Sequence, residues 1–349
     1  MNAVTEDKLI SVIMPAFNAS EYISAAVDSI LSQSYTCFEL IIVDDGSTDD
    51  TASIINDYSL QDSRVKLFTL KNAGPANARN KGLSFISKDS EYIVFCDSDD
   101  RYYPDAFEKL IDAARNGADA VFAGFIIINP DNSKNAYFEP FGEYDGRSFG
   151  EALPALYKAN LLNQVWAKMF RTKMVSENAI SFPNYRWGED RLFIYDVLDH
   201  AERIVVIPNI TYLYIMHGKS SLITGFYEPK PQICIESDKR IQSLCKKFGI
   251  ENTSVFSYMF VKGIFSCFAN LCSESCTLTK SQKRNYIRTT LEDRYIKKRI
   301  QEKSFGIADS VLRRCLLTEN PQLILTAAKT VQILSKTAPK LFLLIKHKK

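Results

Sequence analysis

The first 130 residues alternate apolar runs with segments of helical spacing, and this alternation is the strongest constraint on the fold. The apolar runs cover residues 9–14, 38–43, 65–70, 92–96 and 120–128. Between them, apolar side chains recur at the period of an amphipathic helix. Strands that alternate with helices in this way predict an α/β fold with a mainly parallel mixed sheet flanked by helices.

Three of the predicted strands end in polar residues. Ligands of open α/β sheets bind at the carboxyl ends of the strands, so the three tips are expected on one rim. The tips are Pro15–Asn18, Asp44–Gly46 and Asp97–Asp99. At the last tip, two carboxylates one residue apart can converge on a hard divalent cation. Taken alone, that tip is equally well explained as a solvated loop of turn-forming acids.

Two further positions suit a nucleotide at this rim. A carboxylate at the second strand tip, Asp44 or Asp45, can accept hydrogen bonds from a base N–H or a ribose hydroxyl. An acidic capping turn is the alternative. The third strand leads into a helix that begins at Pro75 and carries Arg79 and Lys81 in its first turns. Arg79 is the candidate for an anionic ligand, whereas Lys81 is expected at the surface.

Charge is divided unevenly along the chain. Residues 1–225 contain 31 acids and 20 bases, whereas residues 226–349 contain 10 acids and 23 bases. We therefore predict two domains, an α/β domain over 1–225 and a basic α-helical region over 226–349. The basic region suits an anionic partner such as a membrane surface or a phosphorylated acceptor, and an ordinary solvated surface is the alternative. Nucleic acid is not expected, because no RNA-binding aromatic signature is present.

The basic region contains two apolar segments. Val255–Cys272 approaches the length of a membrane span, but its polar residues favour a buried or interfacial helix. Pro321–Lys349 reads as a basic amphipathic helix, which suits an anionic membrane surface or packing against the rest of the chain. The eight cysteines include no Cys-x-x-Cys pair, so reduced thiols are expected rather than a zinc site. The N-terminus has no secretory signal pattern, which predicts a cytoplasmic location.

Four motifs, taken in order, closely resemble family 2 glycosyltransferases of the GT-A fold, of the type that builds bacterial surface polysaccharides. The motifs are Ser11-Val-Ile-Met-Pro15-Ala-Phe-Asn18, Val43-Asp-Asp45-Gly-Ser-Thr-Asp49, Asn72-Ala-Gly74 with Ala78-Arg79-Asn80-Lys-Gly82, and Asp97-Ser-Asp99-Asp100. The resemblance extends over about residues 8–225. It implies an inverting, metal-dependent transfer of sugar from a nucleotide-sugar, with a UDP-sugar as the leading interpretation, to a glycan or lipid-linked acceptor.

The resemblance also implies roles for individual residues on the donor side. Pro15 and Asp45 would line the nucleoside pocket, and Arg79 would assist the nucleotide. Asp97 would contact ribose or metal, with Ser98 beside it at the donor. Asp99 would bind Mn²⁺ or Mg²⁺ that bridges the donor diphosphate.

Further matches lie towards the end of the resembling region. Glu189 and Asp190 look like the family's acidic pair at a helix start, and Asp190 maps to the general base. Without the family, two acids there are explained by the helix macrodipole. His217 matches a position for a further metal ligand or phosphate contact, with a surface histidine as the alternative. Trp166 and Lys168 match a segment beside the acceptor, although Trp166 also suits a core position.

Two other functions fit parts of the sequence. A nucleotidyltransferase also uses acids at strand ends for metal-assisted attack at phosphorus, but no Gly-rich phosphate loop ending in lysine is apparent. A non-catalytic protein that binds nucleotide-sugar or nucleic acid has only the basic C-terminal region in its favour. The nature of the product separates the first alternative, because glycosyl transfer releases a nucleoside diphosphate and nucleotidyl transfer releases pyrophosphate.

Overall fold

The structure is a computed structural model that describes residues 8–139, 141–145, 148–217, 225–303 and 306–337. The chain divides into two compact units, Met1–Lys219 and Ser220–Lys349. Lys219 and Ser220, which the sequence suggests as diphosphate contacts, lie outside the described residues, as does the C-terminal part of the amphipathic segment. The separate roles predicted for residues 1–225 and 226–349 stay predictions.

The described part of the first unit contains a ten-stranded mixed sheet. Its strands are β1 (Leu9–Ala16), β2 (Phe38–Asp44), β3 (Val65–Thr69), β4 (Ser90–Phe95), β5 (Arg101–Tyr102), β6 (Ala120–Ile128), β7 (Lys134–Tyr137), β8 (Gly142–Asp145), β9 (Lys168–Arg171) and β10 (Arg203–Ile215). The strand order is β3-β2-β1-β4-β9-β6-β10-β5, with β7 paired to β6 and β8 paired to β10. Strands β3, β2, β1 and β4 run parallel, as do β6 and β10, and antiparallel β9 joins the two groups.

Helices accompany these strands in the order that the sequence predicts. They are α1 (Ile23–Leu31), α2 (Thr51–Gln61), α3 (Pro75–Phe85), α4 (Ala106–Ala114), α5 (Phe149–Lys158), α6 (Thr172–Glu177) and α7 (Glu189–His200). Every residue of β2 is buried, as expected for a strand covered on both faces. β6 occupies the range predicted from its apolar run. After β6 the chain turns back and β7 pairs antiparallel with β6, whereas β8 pairs antiparallel with β10.

Helix α3 packs very closely on β1. A Cβ atom built on Gly82 would lie 2.4 Å from Cγ2 of Ile13, which is closer than real Cβ atoms approach. Ala78, one turn earlier, is fully buried beside Ile41 and Val43 of β2. Small side chains at these two positions let the α3 backbone approach the sheet. This close packing of α3 places Arg79 beside the strand tips.

The second unit is helical over its described residues. Its helices are α8 (Lys230–Lys247), α9 (Ser254–Asn270), α10 (Lys280–Glu292), α11 (Arg294–Ile300), α12 (Gly306–Leu317) and α13 (Pro321–Thr337). Buried aromatic and aliphatic side chains make α9 the centre of this unit. Within the described ranges, no helix has both the length and the apolar character needed to cross a membrane. All eight cysteines are free thiols.

A buried ionic cluster joins three helices of the second unit. Arg299 donates to both carboxylate oxygens of Asp238, from Nε to Oδ2 at 2.6 Å and from Nη2 to Oδ1 at 2.9 Å. The Tyr295 hydroxyl donates to Asp238 Oδ2 at 2.7 Å. Arg299 Nη1 also donates to the Ser257 hydroxyl at 2.9 Å and to the Glu302 carboxylate. This cluster ties α8, α9 and α11 together.

Candidate active site

The tips of β1 and β2 are joined to each other by hydrogen bonds. The Asn18 amide donates to Ser47 Oγ at 2.9 Å, and the Thr48 amide donates to Asn18 Oδ1 at 2.8 Å. Asn18 adopts a positive φ of 48°, a conformation that asparagine tolerates better than most residues. Pro15 lies half-buried near the end of β1. The two loops therefore form one rigid edge of the rim.

Asp45 is fixed by the loop that leads into α3. Its Oδ1 accepts from the Ala73 amide at 2.9 Å, and its Oδ2 accepts from the Gly74 amide at 2.7 Å. The residue is 3% exposed. A carboxylate oxygen can accept more than one hydrogen bond, so each oxygen retains acceptor capacity. The predicted contact of Asp45 with uracil or ribose stays a prediction.

The acids after β4 fall into two classes. Asp100 is fully buried and accepts from the Tyr212 hydroxyl at 3.0 Å and from the Ile215 amide at 2.8 Å, so it anchors β10 to the β4 tip. Burial raises the pKa of Asp100 well above its usual range, and Asp97 and Asp99 add to this effect. Asp97, Ser98 and Asp99 are only partly buried. These three are therefore the residues of this tip that remain accessible.

Asp99 and His217 lie beside each other at the rim. His217 Nε2 is 4.0 Å from Asp99 Oδ2 and 3.3 Å from the Asp99 carbonyl oxygen. The imidazole ring stacks on the Tyr22 ring with centroids 3.9 Å apart. Partial burial raises the pKa of Asp99 to about 6, with a further contribution from Asp97 and an opposing one from His217. Within the described residues, no three His, Cys, Asp or Glu side chains are arranged to hold a metal ion.

Arg79 lies at the centre of the site. Its Nη2 donates to Asp97 Oδ1 at 2.8 Å, and its Nη1 donates to Asp190 Oδ1 at 2.9 Å and to Glu189 Oε1 at 3.2 Å. The Arg79 side chain is 5% exposed, whereas the Asp97 and Asp190 side chains are 26% and 17% exposed. One guanidinium therefore links the β4 tip to the first turn of α7. The predicted contact of Arg79 with the nucleotide stays a prediction.

The position of Glu189 and Asp190 follows from the way α7 begins. Gly188 adopts a left-handed conformation with φ of 82° immediately before the helix, which a residue without a Cβ does without strain. Apolar side chains then anchor α7 in the core, namely Leu192, Phe193, Ile194, Val197 and Leu198. Acids in the first turn are favourable to the helix macrodipole. The two carboxylates are thereby presented at the helix end that meets Arg79.

The environment of Asp190 suits proton transfer near neutral pH. Burial, with contributions from Glu189 and Asp97, raises the pKa of the Asp190 carboxyl to about 8, while Arg79 and Lys168 oppose the shift. A general base works best when its pKa lies near the working pH. The role of Asp190 as the general base stays a prediction.

Trp166 and Lys168 lie below the surface. The Trp166 ring is 7% exposed and stacks on Tyr212 and Tyr214, with centroids 4.6 Å and 5.5 Å apart. Lys168 is fully buried, and its ammonium donates to the Trp166 carbonyl at 3.3 Å. Burial lowers the pKa of Lys168 to about 7. This placement favours the core alternative for Trp166, and the acceptor contacts predicted for both residues stay untested.

Two residues of the site have no recognisable signal in the sequence. The Tyr212 hydroxyl accepts from the Asp97 amide at 3.0 Å and donates to Asp100, so it holds the β4 tip in place. Tyr22 supports the His217 ring. Both contacts join segments about 115 residues or more apart in the chain, so neither local spacing nor periodicity reveals them.

The fold and the site together define a class of protein. A mixed sheet flanked by helices presents carboxylates at the tips of β2 and β4, on either side of β1, and a further acidic pair lies at the start of a helix. This is the arrangement of a glycosyltransferase of the GT-A type. The chain belongs to glycosyl transferase family 2, whose model matches residues 11–177.

Similar proteins support this assignment. The chain is 31% identical to the glycosyltransferase GlyG of Streptococcus pneumoniae over 73% of this chain and 86% of GlyG. It is 27% identical to EpsH of Bacillus subtilis over 62% of this chain and 63% of EpsH, so the match spans less than two thirds of that relative. It is 36% identical to WfgD of Escherichia coli, a UDP-Glc:alpha-D-GlcNAc-diphosphoundecaprenol beta-1,3-glucosyltransferase, over 39% of this chain and 53% of WfgD.

Comparison with solved structures supports the fold. The crystal structure of S. aureus TarS residues 1–349 in complex with UDP-GlcNAc aligns with a TM-score of 0.67 and 19% identity, over 93% of this chain and 91% of TarS 1–349. The predictions of a GT-A-type α/β fold with a C-terminal helical region, and of a glycosyltransferase, are confirmed.

Proposed function

We propose that this protein is an inverting, metal-dependent glycosyltransferase that moves a sugar from a UDP-sugar to a hydroxyl group of a glycan or lipid-linked acceptor. The observation that carries the proposal is the Arg79 bridge, which holds the candidate base Asp190 and the donor-side Asp97 on one guanidinium. The UDP-GlcNAc bound to TarS and the UDP-Glc donor of WfgD favour a UDP-sugar.

Asp190 is the proposed general base. It takes the proton of the acceptor hydroxyl while that oxygen attacks the anomeric carbon from the face opposite the nucleotide. The new bond joins the acceptor oxygen to the anomeric carbon, and the bond between that carbon and the diphosphate oxygen breaks. The bonding electrons leave with the nucleoside diphosphate, and the configuration at the anomeric carbon is inverted.

On the donor side, Pro15 and Asp45 line the proposed nucleoside pocket. Asp97 contacts the ribose or the metal, with Ser98 beside it at the donor. Asp99 and His217 would hold Mn²⁺ or Mg²⁺. The fit rests on the Asp99 carboxylate, because Mn²⁺ and Mg²⁺ prefer oxygen ligands, and on the His217 imidazole, a common metal ligand, 4.0 Å from it. When bound, such a cation offsets negative charge on the departing diphosphate.

On the acceptor side, Glu189 lies next to the base. Trp166 and Lys168 are the further acceptor-side candidates, and Lys168 interacts electrostatically with Asp190. The relative WfgD acts on a diphosphoundecaprenol-linked sugar, which favours an acceptor of the same chemical class in cell-surface polysaccharide synthesis. The excess of basic residues after residue 225 suits an anionic membrane surface. We therefore propose a peripheral position on the cytoplasmic face of the plasma membrane, without a nucleic-acid partner.

The proposal is tested by a donor-hydrolysis screen across nucleotide-sugars with Mn²⁺, Mg²⁺ or EDTA. A UDP-sugar should be hydrolysed faster than other donors, with release of UDP, and EDTA should suppress the reaction. Asp190→Asn serves as the active-site control. In a parallel reaction with a nucleoside triphosphate and a sugar phosphate, release of pyrophosphate would point instead to a nucleotidyltransferase. Activity unaffected by EDTA in the nucleotide-sugar screen would contradict the metal.

A further inference from the structure

Asn80, the residue after Arg79, forms hydrogen bonds to the chain segment that leads into α7. Its Nδ2 donates to the Phe182 carbonyl at 2.8 Å, and its Oδ1 accepts from the Phe182 amide at 2.8 Å. Both backbone polar groups of Phe182 are therefore held by one side chain. Because Phe182 lies just upstream of Gly188 and α7, the Asn80 amide fixes the approach of the chain to that helix.

The Phe182 ring extends this link to three elements. It stacks on Phe193 of α7 with centroids 4.3 Å apart, and it meets Phe95 of β4 edge-on at 5.3 Å. The Arg79 guanidinium carbon lies 5.5 Å from the same ring centroid. The ring is 3% exposed. A shift of Phe182 would therefore disturb α7, the end of β4 and Arg79 together.

Arg79 completes the connection through charge. It donates hydrogen bonds to Asp97 Oδ1 on the β4 side and to Asp190 Oδ1 on the α7 side. The second oxygen of Asp97 receives no hydrogen bond from the described part of the chain, and 26% of this side chain is exposed. Asp97 thus has one oxygen held by Arg79 and one open to a ligand.

We propose that Arg79 and Asn80 act as a positioning pair in the transfer reaction. Asn80 holds Phe182 and the segment before α7, and Arg79 holds Asp190 of α7 against Asp97 of β4. The pair keeps the general base at a fixed distance from the donor-side carboxylate. Its catalytic consequence rests on the proposed function, whereas the placement of α7 is measurable without any activity.

The kinetic test compares Asn80→Ala and Arg79→Lys with the wild type. A lysine ammonium lacks the planar fork that reaches carboxylates on two sides, so Arg79→Lys should break the bridge. Each variant should lower kcat by about tenfold or more, while the donor KM and the Kd for UDP change by less than about threefold. Lys81→Gln, the next residue on α3 and exposed, should leave all three constants unchanged.

Two kinetic results would overturn the proposal. One is a kcat within twofold of wild type in Asn80→Ala. The other is a Kd for UDP that rises in Arg79→Lys by the same factor as kcat falls, because that result would make Arg79 a direct nucleotide contact.

A second measurement separates this proposal from the proposed function. Hydrogen exchange should become faster in Asn80→Ala at the amides of residues 181–192 and stay unchanged in β2, with Lys81→Gln as the control. Asn80→Asp, which can still accept from the Phe182 amide but cannot donate to its carbonyl, should give a smaller change and serves if Asn80→Ala fails to fold. If the wild type transfers no sugar, the proposed function fails and the exchange data still decide the positioning role. Unchanged exchange at residues 181–192 in both variants would refute it.

Discussion

Arg79 in the first unit and Arg299 in the second are both 5% exposed in their side chains, but their partners differ. Arg299 binds both oxygens of Asp238, whose side chain is 3% exposed, so the buried part of this cluster is one matched charge pair. Its other acidic partner, Glu302, is 34% exposed. Arg79 is shared among Asp97, Glu189 and Asp190, which stay 10–26% exposed. The contrast indicates that the Arg299 cluster stabilises the fold, whereas the Arg79 cluster holds surplus negative charge on partly exposed carboxylates at the rim of the sheet.

The largest expected effect tests the functional half of this contrast. Asp190→Asn removes the proton acceptor while preserving the size of the side chain, so kcat should fall by about 10²–10⁴-fold, the usual contribution of a general base. The Kd for UDP, measured by calorimetry, should change little. Full turnover in this variant would show that Asp190 is not the base.

The next prediction tests the structural half. Arg299→Met leaves the Asp238 charge buried without its partner, so the free energy of unfolding of the second unit should fall by about 3–5 kcal/mol. Urea unfolding followed by near-UV circular dichroism would measure this change, with a separate transition expected for each unit. Arg294→Met, an exposed change on the same helix, is the matched control. Equal stability of the two variants would remove the contrast between the clusters.

A smaller effect is expected at the proposed cation position. Asp99→Ala should weaken UDP binding by about tenfold in the presence of Mn²⁺, because Asp99 supplies a carboxylate oxygen to the cation that meets the diphosphate. In EDTA, the variant and the wild type should bind UDP equally. Asp89→Ala, at an exposed position before β4, controls for loss of negative charge. Equal weakening with and without Mn²⁺ would place Asp99 outside the cation site.

The smallest expected effect concerns pH. Because the pKa of Asp190 is raised to about 8, the carboxyl stays protonated up to that pH in the free enzyme, and kcat/KM should rise with pH and level off above about 8. The folded state holds this proton more tightly than the unfolded state, so the Asp190 contribution to stability falls between about pH 4 and 8.

Lys168 provides a way to sharpen this pH prediction. The Lys168 ammonium lowers the pKa of Asp190, but the pKa of Lys168 is itself lowered to about 7, so only a small charged fraction remains near pH 8. Lys168→Met should therefore move the rising limb of kcat/KM only slightly, to higher pH. The shift should leave less than about a tenfold difference in rate at any one pH. A limb that moves to lower pH would contradict the proposed interaction.

The sequence predicts the elements better than it predicts their contacts. Strands such as β2 and β6, and the polar tips after β1, β2 and β4, follow from local periodicity and turn composition, so they are visible without a structure. The partners of Arg79 cannot be predicted from the sequence in this way, because Asp97, Glu189 and Asp190 lie 18, 110 and 111 residues away. The family resemblance suggests Trp166 and Lys168 as acceptor contacts, with a core position as the alternative for Trp166, and the tertiary packing buries both side chains.

The missing side chain at Gly82 has a consequence for protein engineering. Since a single added methyl group would collide with Ile13, the gap between α3 and β1 has almost no tolerance. Mutant libraries aimed at new donors or acceptors should leave the contact between α3 and β1 unchanged and vary other loops at the rim of the sheet. Any gain in substrate range achieved through bulk at Gly82 would come with a displaced Arg79.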